Sequence, residues 1–381
     1  MRSHARRTVL GAIVLATASA LVAAPAAQAS TAGFTATDTK KLLTTTDLEA
    51  ITTAGEDGVW AVGTARDSPF VARWGGQAWK SESWTPSVLG GLSAVAAAGP
   101  SDVWAVGTRL SLSRQPLPLF MHDNGSGWTT VAGPPDPEGG GHLRSVAVAA
   151  PDDVWAVGTA GPDATPRPYA AHWDGQSWQE VTLPDKQSGA LSSVTAAGPD
   201  DVWVTGEADV VLGTGQARKQ AIVAHWDGQR WTDVPPAEEP GAPEGILPIG
   251  QRISAAAPDQ VWLVGQIPQT SRTVVQRWNG SEWTRGPALP AEQARPGNAG
   301  LSADPSGVTW VSNSAKNSVT GKPRPVFARW CDGQWTDVPV PSTVVTGNGG
   351  AVATTADGAT TWALVRTGTT GTPVVLRYNR P

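Results

Sequence analysis

LSSVTAAGPDDVWVTG, at residues 191–206, is the clearest copy of a segment that the 381-residue chain contains seven times. Such regular repetition predicts an array of similar structural units. The other copies are SAVAAAGPSDVWAVG (93–107), SVAVAAPDDVWAVG (145–158), ISAAAPDQVWLVG (253–265), AITTAGEDGVWAVG (50–63), LSADPSGVTWVS (301–312) and AVATTADGATTWAL (351–364). The tryptophan of each copy is, in chain order, Trp60, Trp104, Trp155, Trp203, Trp262, Trp310 and Trp362.

Each unit reads as four short β-strands. Apolar residues alternate with small or polar ones in segments such as 192–197 and 202–205, and this alternation is typical of half-buried strands. Turns such as Gly-Pro-Asp-Asp (198–201) join the first two strands, and Asp227-Gly228 or Asn279-Gly280 joins the last two. No helical period is present after the predicted N-terminal leader, so the sequence predicts an all-β fold.

The other two connections of each unit vary in length. The interval from the second-strand tryptophan to the third-strand aromatic residue is shortest from Trp60 to Trp74 and longest from Trp203 to Trp226. In a four-stranded antiparallel sheet, these two kinds of connection lie at the same end. We therefore predict long, variable loops on one face, and we expect functional residues there.

The two ends of the repeat array predict how it closes. The seventh copy ends at residues 376–381, where its fourth strand is due to begin, and residues 34–37 precede the first copy. The interval from Phe34 to Leu48 matches, to within one position, the interval from Trp79 to Leu92 in the next unit. Residues 34–37 are therefore predicted to complete the seventh sheet. A closed ring leaves no open sheet edge between units.

The chain thus resembles secreted bacterial seven-bladed β-propellers, nearest to the kelch-like proteins. Kelch-like blades pair an apolar strand ending in two glycines with an aromatic-Asp step and a later tryptophan. WD40 and sialidase-type repeats are also tryptophan-rich. The resemblance implies a single domain over residues 30–381, with seven four-stranded antiparallel blades. The matching residues are Val103–Thr108, Val154–Thr159, Trp173-Asp174 with Trp178, and Trp226-Asp227 with Trp231, whereas Thr64, Thr108 and Thr159 replace the second glycine.

Residues 1–29 read as a signal peptide. Arg2, Arg6 and Arg7 precede an apolar run over 9–24, and Ala27-Gln28-Ala29 resembles a cleavage site. The apolar run is too short to span a bilayer, so we predict cleavage after Ala29, secretion and no membrane span. Both the ordinary secretory route and the twin-arginine route fit this segment.

Charge and cysteine content limit the possible partners. Of 28 basic and 33 acidic residues, the predicted signal peptide holds three basic and none acidic, so the mature chain has a net charge of −8. This balance argues against nucleic acid as a partner. Cys331 is the only cysteine, so an intramolecular disulfide is excluded. We expect a monomer whose partner is an extracellular protein or glycan.

Most of the 19 tryptophans occupy repeating strand positions. Eighteen fit the second, third or fourth strand of a unit, and we predict that they are wedges between blades whose indole N–H groups reach hydrogen-bond partners. Trp84 alone is out of register, which makes it a candidate exposed binding residue.

A basic residue precedes the third-strand aromatic position in every unit. Residues equivalent in separate blades lie too far apart to share one ion, so we predict no metal site and no cofactor. We expect hydrogen bonds within each blade instead, to the backbone or to a turn aspartate such as Asp153 or Asp201. The basic residues are Arg73, His122, His172, His225, Arg277, Arg329 and Arg377.

Enzyme motifs are absent from the sequence: there is no HExxH, GxSxG or phosphate-binding loop. Four glutamates on the predicted loops of the fourth unit leave a hydrolase or lyase acting on polysaccharide as an alternative. A purely structural surface protein is a third possibility. The four residues are Glu207, Glu238, Glu239 and Glu244.

The sequence therefore favours a secreted, non-catalytic binding or scaffold module. Its ligand-binding residues are expected among loop arginines, lysines and aromatic residues, because these types dominate interface energetics. The candidates are Trp84, Arg114, Arg167, Tyr169, Arg218 and Lys219.

Overall fold

Residues Ala32–Pro381 form one compact unit. The computed structural model describes residues 33–39, 42, 46–55, 58–83, 88–183, 188–211, 217–242, 246–268, 270, 272–290, 300–317, 320–344, 346–366 and 373–381. The predicted signal peptide and Trp84 lie outside the described residues, so both predictions stay untested. Within the described residues, no helix is long and apolar enough to cross a membrane.

The strands form seven four-stranded antiparallel sheets. The strands of the first four blades are β2 (Thr46–Thr53), β3 (Val59–Ala65), β4 (Ser68–Trp74), β5 (Trp79–Ser81), β6 (Gly90–Gly99), β7 (Asp102–Leu110), β8 (Pro116–Asp123), β9 (Trp128–Val131), β10 (Gly141–Ala150), β11 (Asp153–Ala160), β12 (Arg167–Trp173), β13 (Trp178–Val181), β14 (Gly189–Gly198), β15 (Asp201–Val211), β16 (Ala217–Trp226) and β17 (Trp231–Asp233). The last three blades comprise β18 (Ile249–Ala257), β19 (Gln260–Ile267), β20 (Arg272–Trp278), β21 (Trp283–Arg285), β22 (Gly300–Ala303), β23 (Thr309–Lys316), β24 (Pro323–Cys331), β25 (Gln334–Val338), β26 (Asn348–Thr354), β27 (Thr360–Arg366), β28 (Val374–Asn379) and β1 (Thr35–Ala36).

The sheets are arranged as a closed ring. The first strand of each blade contacts the first strand of the next, and the contact between β26 and β2 completes the circle. These seven first strands line a central channel, while the short fourth strands are outermost in each sheet. The prediction of a seven-bladed β-propeller is therefore confirmed.

The N-terminal strand completes blade seven, as predicted. Thr35 pairs with Arg377 and Ala36 pairs with Leu376, so β1 is the fourth strand of that sheet. The Thr37 N–H donates to the Val375 carbonyl at 2.9 Å. The ring is thus closed by antiparallel pairing between its first and last strands.

Tryptophans join each blade to the next. Trp155 of blade three lies 5.5 Å from Trp226 and 5.3 Å from Trp231 of blade four, measured between ring centroids. The same arrangement recurs at four further interfaces, and all seven second-strand tryptophans are at most 3% exposed. In blade two, Asp123 takes the position of the third-strand tryptophan. Between blades six and seven, Tyr378 and Phe34 take the place of the tryptophan pair. The predicted role of the tryptophans as wedges is confirmed.

The prediction that the indole N–H groups reach partners is wrong for most second-strand tryptophans. Trp203 does donate to Asp201 Oδ1 at 2.7 Å. In contrast, the buried Nε1 atoms of Trp60, Trp104, Trp155 and Trp362 have no hydrogen-bond partner among the described residues. The direction of each N–H is set by ring packing on both indole faces, because burial of a large aromatic surface outweighs one hydrogen bond.

The connections between second and third strands vary in length, as predicted, but in blades one and four they are shorter than expected. Blade one has a short connection, Arg66-Asp67, and blade four accommodates its extra residues in longer strands. β15 has 11 residues and β16 has 10, compared with 7 each in β3 and β4. Antiparallel pairing of the added residues satisfies their backbone groups, which an irregular loop does less well. These hairpins and the blade-to-blade connections share one face of the ring, which we call the loop rim.

Candidate binding site

The site lies where the central channel opens at the loop rim. In six blades, the first strand contains a β-bulge near this opening, with one extra residue relative to the second strand. In blade seven the register shift lies between Gly349 and Val352, and in the other five blades a single residue is skipped by the pairing. A bulge leaves this residue outside the regular pairing, so its side chain is free to vary between blades. The five bulge residues are Glu49, Ser93, Arg144, Ser192 and Gln251.

The glycine that ends the Val-Trp-Ala-Val-Gly segment makes room for the bulge. A Cβ atom on Gly158 would lie 1.9 Å from the His142 carbonyl oxygen, and a Cβ on Gly206 would lie 2.1 Å from that of Ala190. These separations are far below van der Waals contact. The repeated glycine is therefore required by the close approach of the bulged first strand.

A cavity of about 440 Å³ opens at the channel mouth between blades three, four and five. Arg144, Ser192 and Arg252 line this cavity and also the channel itself, so the two spaces are continuous. We call this space the mouth cavity. Deeper in the channel, the wall consists mainly of small Ala, Ser, Thr and Val side chains from the first strands. At the opening, by contrast, the two arginines lie among other polar side chains of the lining, which are Ser192, Glu207, Lys219, Gln251 and Gln266.

Arg144 and Arg252 bring positive charge to the mouth cavity, and Glu49 offsets that of Arg252 only in part. Arg144 is exposed, and Arg252 is partly buried with one hydrogen bond, from Nη1 to the Gln251 carbonyl at 2.8 Å. Neither has a carboxylate within ion-pair distance among the described residues. Burial lowers the pKa of Arg252, and the positive charges of Arg366 and Arg144 lower it further, against the opposing effect of Glu49. The mouth cavity thus concentrates positive charge.

Glu49 and Arg366 form an ion pair beside these arginines. Arg366 ends β27 of blade seven, and its Nη2 donates to Glu49 Oε2 on the bulge of blade one. Burial raises the pKa of Glu49, while the charge of Arg366 acts in the opposite direction. This pair links the first and last blades. Glu49 is the one acidic residue among the five bulge residues, and its carboxylate is engaged by Arg366.

Lys219 is the predicted site residue that lines the mouth cavity. It lies on β16, and its ammonium group is 2.7 Å from Asp209 Oδ1 and 2.9 Å from Glu207 Oε1. The hydrogen bond that it donates to Asp209 raises the pKa of Lys219. Its charge is therefore already balanced, unlike those of the two arginines.

The other described candidates do not converge on this cavity. Arg114 is exposed in the β7–β8 connection, and Arg218 lies on β16 beside Lys219. Arg167 begins β12 and pairs with Glu180 at 2.6 Å, so its expected loop position is wrong. Tyr169 is also on β12 and only 1% exposed, because its ring packs in the core between blades two and three. The binding roles of these residues remain predictions.

The acidic residues of blade four are engaged in structural contacts. Glu207 pairs with Lys219, and Glu239 accepts a hydrogen bond from Gln276 Nε2 at 2.8 Å. Glu244 lies outside the described residues. Among the residues that the structure describes, no group of three or more His, Cys, Asp or Glu side chains is arranged to hold a metal ion.

Three of the seven basic residues before the third-strand aromatic position, the histidines, make the predicted contacts to turn aspartates within their blades. His122, His172 and His225 lie 2.7 to 2.9 Å from the turn aspartates Asp102, Asp153 and Asp201. Each histidine ring also stacks on the second-strand tryptophan of its own blade, at 4.1 to 4.3 Å between centroids. This stacking was not predicted. Arg329 differs, because it donates to the Tyr378 hydroxyl of the next blade at 2.8 Å.

The sequence analysis missed Arg144 and Arg252. A signal was present, because arginine interrupts the small residues of the first strand in HLRSVAVAA (142–150) and QRISAAA (251–257). The bulge and the meeting of distant blades at the channel mouth are tertiary features that one repeat does not display.

Comparisons with known proteins support the fold. The structure described as YCF48 bound to D1 peptide is 15% identical, with a TM-score of 0.55, and the match covers 92% of this chain and 96% of that chain. The β-propeller domain of the Trilobed protease from Pyrococcus furiosus is 11% identical, with a TM-score of 0.56, over 88% of this chain and 96% of that chain. The RRP9 WD40 repeats are 12% identical, with a TM-score of 0.50, over 91% and 98%. No protein-family model and no curated protein sequence matches the chain.

Proposed function

We propose that the chain is an exported, non-catalytic binding module that recognises a protein outside the cell through its loop rim. The observation that carries this proposal is the pair of arginines in the mouth cavity without carboxylate partners among the described residues. Charges of like sign that are placed together repel one another and reduce stability unless they are paired. A ring that served only as a scaffold would gain nothing from placing them together.

The lining of the mouth cavity favours a protein over a glycan as the partner. It consists of Arg, Lys, Glu, Gln, Ser, Ala, Gly, Ile and Pro residues, with no aromatic ring. Sugar rings gain much of their binding energy by stacking on aromatic faces, whereas the tryptophans that the structure describes are buried or half-buried. YCF48, whose fold is similar, is described in complex with a peptide.

Photo-crosslinking tests the proposed rim. The residue p-benzoylphenylalanine is introduced at Pro268, which borders the mouth cavity, or at Gln176, which is exposed on the opposite face between β12 and β13. Irradiation of the secreting culture is expected to give a protein adduct at position 268 and none at 176. Equal adducts from both positions would contradict the proposed rim.

Two assays on the purified chain distinguish the other functions. A glycan array is expected to show no strong binding, and a reducing-sugar assay with polysaccharides is expected to show no new reducing ends. Strong binding of a glycan would indicate that the partner is a glycan and not a protein. New reducing ends would show that the chain is a polysaccharide-cleaving enzyme.

A further inference from the structure

We propose that Arg144 and Arg252 form a carboxylate-binding subsite in the mouth cavity, which takes the side chains of an acidic polypeptide segment. This inference rests on the proposed function, because it specifies the chemistry of the partner. Neither arginine belonged to the residues that the sequence predicted.

The two guanidinium groups come from blades that are not adjacent in the ring. Arg144 lies on the bulge of β10 in blade three, and Arg252 follows the bulge of β18 in blade five. Between them, blade four contributes Ser192, whose hydroxyl already donates to the Gly250 carbonyl at 2.9 Å. The space flanked by both arginines therefore has blade four as its floor and the loop rim as its entrance.

The surrounding groups favour an anion and disfavour a cation. Glu49 is occupied by Arg366, and Glu207 is occupied by Lys219. Both Arg144 and Arg252 retain free N–H donors, and a guanidinium group binds a carboxylate through two parallel hydrogen bonds. An anion between them would also reduce the repulsion that Arg252 experiences from Arg144 and Arg366.

The form of the cavity favours a polypeptide as the source of the carboxylates. Its lining combines the backbone of Gly206 and Gly250 with the apolar side chains of Ile249 and Pro268. Backbone groups beside apolar patches suit an extended peptide, whose main chain offers matching donors and acceptors. An acidic sugar would meet the same arginines but no aromatic surface.

Isothermal titration at low ionic strength with a tetraglutamate peptide tests the subsite directly. Tetraglutamine serves as the neutral probe, and tetragalacturonate provides the same carboxylates on a glycan. The variant Arg144→Gln/Arg252→Gln is compared with Arg230→Gln, which removes an exposed arginine from the turn between β16 and β17, on the face opposite the loop rim.

The wild-type chain is expected to bind tetraglutamate more tightly than either other probe. Loss of each charge-assisted contact is expected to weaken binding by about tenfold or more, whereas Arg230→Gln stays within about twofold of wild type. The double variant is expected to keep the wild-type thermal midpoint or exceed it, since it removes charges of like sign. A loss of binding with an unchanged midpoint therefore reports on the subsite and not on folding.

Three results would overturn the subsite: equal binding by the double variant, equal binding of tetraglutamine, or tighter binding of tetragalacturonate. The outcome is separable from that of the proposed function. Absence of crosslinking at position 268 in the wild-type chain would refute the partner at the loop rim, whatever the peptide titration shows. Crosslinking that persists while the double variant binds tetraglutamate normally would refute the subsite alone.

Discussion

Replacement of Phe34 by alanine tests the closure of the ring. Phe34 is only 4% exposed, and its ring lies 4.7 Å from Phe327, 5.5 Å from Trp310 and 5.8 Å from Tyr378, between centroids. Removal of a buried Phe side chain costs about 3–5 kcal/mol of unfolding free energy. We expect a value of about 3 kcal/mol, because a strand next to the chain end is able to shift and partly fill the space.

The assay is equilibrium denaturation in urea, followed by tryptophan fluorescence. Thr35→Ala is the matched control, because Thr35 lies on the same strand but is exposed, with one side-chain hydrogen bond to the Arg377 carbonyl at 3.0 Å. The control is expected to lose no more than about 1 kcal/mol. If Phe34→Ala lost no more stability than Thr35→Ala, residue 34 would not be packed in the ring, and the closure would be refuted.

Three further predictions concern a wedge, a buried carboxylate and the thiol. Trp203→Ala is expected to lose about 3–5 kcal/mol in the same urea assay, since its ring is buried between blades four and five, and an unchanged midpoint would contradict the wedge role. Because burial raises the pKa of Glu49, its contribution to stability is present below the unfolded pKa and is lost as pH rises through the folded pKa. The unfolding free energy of wild type minus that of Glu49→Gln is thus expected to decrease as pH rises above 4.5. An increase of this difference would contradict the raised pKa. Burial and the neighbouring Asp332 carboxylate raise the pKa of the Cys331 thiol. Iodoacetamide at neutral pH is therefore expected to modify Cys331 more slowly than free cysteine, and to modify it faster in Asp332→Asn than in wild type. Equal rates in wild type and Asp332→Asn would contradict the effect of the carboxylate.

The architecture was predictable because each of its determinants is local and repeated. The second-strand tryptophan, the Asp-Gly turns and the interval from Phe34 to Leu48 all recur at fixed positions, and repetition makes them visible in one sequence. The ring then follows from the number of copies.

The details that failed depend on contacts between strands or blades. The wide interval between Trp203 and Trp226 predicted a long loop, but backbone pairing extended β15 and β16 instead. Tyr169 was expected to be exposed, but the middle of β12 is buried on both faces, and the ring packs between blades two and three.

The candidate site was missed for a similar reason. Arg144 and Arg252 lie far apart in the sequence, and only the closed ring brings their blades to the same cavity. A bulge shifts the strand register by one residue, so a charged residue in a strand of small residues gives no indication of the direction of its side chain.

The central claim is that the loop rim binds an anionic protein segment at the channel mouth. Its most direct test is whether the affinity for tetraglutamate rises or falls in Glu49→Gln. This variant removes the carboxylate that occupies Arg366, and so adds positive charge available to a ligand. We expect tetraglutamate to bind Glu49→Gln about three- to tenfold more tightly than wild type at neutral pH, and Arg144→Gln about tenfold more weakly. Unchanged or weaker binding by Glu49→Gln would contradict the account.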